Sequence, residues 1–90
     1  MRLMDFNLSV AELDPQLKMY YMENGIPKAV NNLQIKANRL ILGTGKIPLT
    51  LNQFETRTQT LSGTTQLGFS LEHPHKLFGY HLRRAKLILG

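Results

Sequence analysis

The sequence predicts an α+β domain, mainly an antiparallel β-sheet or small barrel of about five to six strands, with one N-terminal helix near residues 15–24. Three observations carry this. Short apolar runs rich in Leu, Ile and Thr are cut by Gly, Asn and Ser turn signals. One segment, Asp14 to Gly25, carries helix start and stop residues. A basic, Gly-terminated segment occurs twice, Pro27 to Gly43 returning as Pro74 to Gly90 at a constant offset of 47 positions.

Ninety residues make a single domain spanning residues 1–90, with a small core. There is no cysteine, so disulfides and thiolate metal sites are excluded, and a chain this short relies on packing or self-association. No apolar run approaches membrane-spanning length, and Asp5 interrupts any signal-peptide pattern. A cytoplasmic protein with no membrane partner is the expectation.

In chain order, Met4, Phe6, Leu8 and Val10 alternate with Asp5, Asn7 and Ser9, the period of an edge or hairpin strand. Asp14 before Pro15, with Gly25 and Pro27 beyond Asn24, predicts the helix over 15–24, docked through Leu17, Tyr20 and Tyr21. Residues 33–43 read as two short strands about an Asn-containing turn, or as one strand with an irregularity at Ala37-Asn38. Thr44-Gly45 supplies a turn, and Lys46 to Leu51 a strand confined by Pro48 to an edge. Gly43-Thr44-Gly45-Lys46 lacks the spacing of a phosphate-binding loop.

From Phe54 to Leu71 the pattern favours a hairpin turning at Ser62-Gly63, which places Phe54, Thr56, Leu67, Phe69 and Leu71 on one face. The competing reading is a helix beginning at Leu51, with Thr50 and Gln53 as a capping box. The final segment, Leu77 to Gly90, fits either a helical stripe or a strand broken at Arg83-Arg84, and the echo favours strand. Because a helix is expected in one half and a Thr-rich hairpin in the other, the echo reads as two similar strands bent at the same point rather than as a duplication.

Formal net charge is +5 and polarised: residues 1–24 carry −2 and residues 25–90 carry +7. Such asymmetry concentrates polyanions or acidic surfaces near the basic side. The function predicted is a non-catalytic basic binding module contacting nucleic acid or another polyanion through a Lys/Arg-rich sheet face, with no cofactor and no metal. Its binding residues are Lys36, Arg39, Lys76, Arg83, Arg84 and Lys86, with Tyr80 (or Phe78) available for base stacking, although core packing is the commoner fate of both rings. The alternative is a protein-interaction or homo-oligomeric assembly subunit that pairs through the apolar terminal run Leu87-Ile88-Leu89. A second alternative is a metal-independent ribonuclease using His75, His81, Tyr80, Arg83 and Arg84. His73, His75 and His81 lack a neighbouring carboxylate cluster for zinc.

Overall fold

A computed structural model describes residues 1–69, the backbone of residues 75–76, and residues 79–90. Helix α1 (Leu3–Ser9) leads into β1 (Lys18–Glu23), β2 (Ile26–Lys36) and β3 (Arg39–Thr44). Helix α2 (Leu51–Thr58) leads into β4 (Gln66–Phe69), β5 (His75–Lys76), β6 (Tyr80–Arg83) and β7 (Lys86–Leu89). Among the described residues the strands form one sheet in the order β5-β4-β3-β2-β1-β7-β6, antiparallel except for β3 beside β4 and β1 beside β7. The α+β class and the mostly antiparallel sheet are as expected; the helix near the N-terminus lies at Leu3–Ser9 rather than near 15–24.

Chain connectivity bends this sheet. Its two outermost strands are successive in sequence, Lys76 ending one and Tyr80 beginning the other. Four residues span at most about 14 Å, whereas a flat sheet of this many strands, spaced about 4.8 Å apart, would separate its edges by about 29 Å. The sheet is therefore open but strongly curved, bringing its edge strands β5 and β6 within that reach of each other.

The sheet is made of two related units, α1 with β1 to β3 and α2 with β4 to β7, in which β5 and β6 together stand where the longer β2 stands in the first. Leu3, Phe6 and Leu13 in the first copy correspond to Leu51, Phe54 and Leu61 in the second, a shift of 48 positions. In the hairpins the shift is 47, and the registers coincide pair for pair. Leu33↔Leu42, Ile35↔Leu40 and Lys36↔Arg39 match Tyr80↔Leu89, Leu82↔Leu87 and Arg83↔Lys86. Backbone bonds between the copies come in matched sets. The Leu3 amide donates to the Thr65 carbonyl and the Leu51 amide to the Leu17 carbonyl, both at 2.8 Å. The Gln66 amide donates to Asn38 and the Lys18 amide to Ala85, both at 3.0 Å. Each copy thus borrows the other's first strand: β3 pairs with β4, and β7 with β1. Two aromatic contacts join equivalent residues and so lie on the internal twofold axis. Phe6 meets Phe54 edge-on at 5.4 Å, and Tyr21 stacks on Phe69 at 4.9 Å.

Several sequence expectations are corrected. Residues 18–23 form strand β1 rather than a helix over 15–24, because Asn24 (φ 52°) and Gly25 (φ 77°) make a two-residue hairpin turn whose twist matches paired strands. Asp14 caps only a local turn, its carboxylate accepting from the Gln16 amide at 2.9 Å. Residues Leu3–Ser9 are helical rather than a strand, because Leu3, Phe6 and the C-cap Val10 make one buried stripe while Met4 and Leu8 face water. The capping box prevails at residues 51–58: Thr50 and Gln53 bond reciprocally at 2.9 and 3.1 Å, and α2 replaces the first arm of the expected hairpin. Ser62 instead closes the turn into β4, its carbonyl accepting from Thr65, and the far end of that hairpin, residues 70–71, lies outside the described residues. Residues 45–49 form no strand, and α2 begins several residues beyond Lys46. The second hairpin turns at Arg84-Ala85, one residue later than expected, with Ala37-Asn38 as its counterpart. With the helices and the described strand pairings matching, the echo belongs to a structural repeat.

Candidate polyanion-binding strand ends

Strand direction decides where the cations collect. Strands β1, β3, β4 and β7 run one way and β2, β5 and β6 the other. The turns Ala37-Asn38 and Arg84-Ala85 therefore leave the sheet at the same end, opposite Asn24-Gly25. Both take their bend from a left-handed, non-glycine first residue, Ala37 at φ 56° and Arg84 at φ 52°.

Alternation along the strands then sets the faces. Met19 and Leu87 point into the core, so their neighbours Lys18 and Lys86 point outward; Leu40 is buried and its neighbour Arg39 is exposed. Across β1, β7 and β6 the register places Lys18, Lys86 and Arg83 side by side. Across β4, β3 and β2 the equivalent positions are Gln66, Arg39 and Lys36. Neighbouring strands are about 4.8 Å apart, so each row concentrates like charge that destabilises the sheet. All five cations are exposed, and none is in an ion pair among the described residues. Lys86 has a different neighbour, its Nζ lying 5.0 Å from the centre of the Tyr20 ring, a cation–π contact that orients the ammonium group.

A groove of about 390 Å³ opens beside this row, lined by Pro27, Arg83, Arg84, Lys86 and Ile88. Among the described residues three cations and no carboxylate line it, over two apolar residues. The recorded ion pair, Arg2 with Asp5 at 2.9 Å, lies on the first turn of α1. The hydrogen bond to Arg2 holds the Asp5 carboxyl below its ordinary range, and the same bond raises Arg2. Burial raises the Tyr21 phenol, helped by the charge of Glu23.

The structure brings together Arg83, Arg84 and Lys86 on one hairpin and Lys36 and Arg39 on its counterpart. Tyr80 is placed against the core: its ring meets Phe6 edge-on at 6.0 Å and its hydroxyl donates to the Ser9 carbonyl at 2.9 Å. Lys76 belongs to β5, but its side chain, like that of His75, lies outside the described residues, as do His73 and Phe78. His81 and Tyr80 are consecutive on β6 and project from opposite faces, so they do not converge on one reacting atom. The terminal run is corrected as well: Leu87, Ile88 and Leu89 are buried, because β7 lies inside the sheet between β1 and β6. Sequence reasoning missed Lys18, which the helix assignment separated from the other cations; reading Asn24-Gly25 as a hairpin turn makes Lys18 part of a strand, but its place beside Lys86 comes from the parallel pairing of β1 with β7.

No known family, curated protein or solved structure matches this chain. No helix among the described residues is long and apolar enough to cross a membrane.

Proposed function

We propose that this protein is a non-catalytic polyanion-binding module whose ligand class is nucleic acid. The observation that carries the reading is the pair of like-charged cross-strand contacts, Lys36 opposite Arg39 and Arg83 opposite Lys86, at equivalent places in both copies. Like charges directly opposite one another cost stability, and a local rule broken twice in the same place marks a site with another use. Phosphates supply the missing counter-charge, and the groove beside Arg83, Arg84 and Lys86 gives them a place to sit.

Contacts of this kind release counterions, so affinity falls steeply with salt and depends little on sequence. Replacing both Arg83→Ala and Arg84→Ala weakens binding to mixed-sequence nucleic acid and flattens its salt dependence by about 1–2 units of log K against log salt. Unchanged affinity and slope in a salt titration of that variant refute the reading.

A further inference from the structure

We infer that the ligand is a nucleic-acid duplex, held with one hairpin end against each of its two strands; this rests on the polyanion reading above. The internal twofold axis carries the inference. It relates Lys36 to Arg83 and Arg39 to Lys86, and it relates the left-handed turn residues Ala37 and Arg84. It also relates two aliphatic side chains left in water near the tips, Ile35 and Leu82, exposed at 60% and 47%.

Two donor rows related by a twofold axis present the same groups with opposite polarity. A ligand making the same contacts with both must itself contain two equivalent, oppositely directed backbones. A single strand has one 5′-to-3′ direction and no such axis, so it satisfies one row and meets the other in reverse. A duplex has dyads perpendicular to its length that exchange its antiparallel strands, which is why twofold-symmetric proteins read symmetric sites. Both tips leave the sheet at the same end, as engagement of one duplex requires. The rows differ in strength, since Lys18 and Arg84 add charge to one where Gln66 and Ala37 stand in the other. One strand is therefore held more tightly than its complement.

The test compares a short DNA duplex, the RNA duplex of the same sequence and each isolated strand, titrated with salt against the whole protein. Two variants are compared, Lys36→Ala with Arg39→Ala and Arg83→Ala with Lys86→Ala. Each double substitution is expected to flatten the duplex salt slope by about 2 units, near 0.9 per phosphate contact. At least one duplex should be bound more tightly than its isolated strands, and which duplex is preferred identifies the ligand as DNA or RNA. Paired Gln substitutions at the same positions, checked by thermal unfolding, keep the test valid if an Ala variant fails to fold. Isolated strands bound as tightly as both duplexes, or a slope that depends on one row alone, overturn the duplex inference and leave polyanion binding standing. Absence of salt-sensitive binding to every one of these nucleic acids overturns polyanion binding itself.

Discussion

Helices α1 and α2 occupy equivalent places, yet they begin and face water differently. Both bury a leucine and a phenylalanine at the same spacing, Leu3 with Phe6 and Leu51 with Phe54. Thr50 starts α2 with a reciprocal capping box, whereas Arg2 starts α1 with no side-chain cap and instead pairs with Asp5 one turn on. The outer face of α1 carries Met4 and Leu8 where α2 carries Asn52 and Thr56. What the copies share is the buried stripe and the backbone bond from each helix to the residue just before the other copy's first strand. Caps and surface have diverged because a helix stapled into a core at its first amide does not need its own cap to nucleate.

The strongest test of this equivalence is at the internal axis. Phe6→Ala and Phe54→Ala each remove a fully buried ring and should cost about 3–5 kcal/mol. Because each ring packs on the other, the double variant should lose less than the sum of the two. Denaturant unfolding of the three proteins, with Phe→Leu versions if an Ala variant does not fold, measures this. Strict additivity, or one substitution costing far more than the other, would break the twofold description of the core.

A smaller effect sharpens the comparison at the turns. Ala37→Gly and Arg84→Gly each relieve a left-handed non-glycine residue and should each stabilise by about 1 kcal/mol. Thermal unfolding showing a gain at one turn and a loss at the other would mean that the two hairpins are not equivalent. At the helix starts the copies should differ: Thr50→Ala is expected to cost about 1 kcal/mol through loss of the cap, and Arg2→Ala markedly less.

The smallest expected change has the opposite sign for stability and for binding. Lys36→Glu turns a like-charged pair into an attractive one with Arg39 and should stabilise by about 0.2–1 kcal/mol while weakening nucleic-acid affinity. A variant that is more stable and binds as well as before would show that the repulsion is not kept for the ligand.

The cations themselves were legible in the sequence, as was a break at Ala37-Asn38, though not whether it is a turn or an irregularity, because a basic run and a short polar break keep their meaning in any sheet. Lys18 was not legible, since its place depends on β7, whose Lys86 lies 68 residues further along the chain. Residues 4–10 and 15–24 were exchanged in type. Met4-Phe6-Leu8-Val10 supports a strand period as well as Leu3-Phe6-Val10 supports a helical one, and only the core chooses between them. The terminal Leu-Ile-Leu run looked like an exposed edge because the sequence does not contain the parallel pairing with β1 that covers it.

By itself the sequence determined the class of the domain, its charge polarity and the recurrence of one basic segment, since each rests on residues near one another in the chain. The tertiary structure alone decided that the recurrence extends to the helices, that each copy borrows the other's first strand, and that the cations form two rows. Those features come from pairings between residues far apart, whose partners are set by the burial of a common core rather than by any local preference.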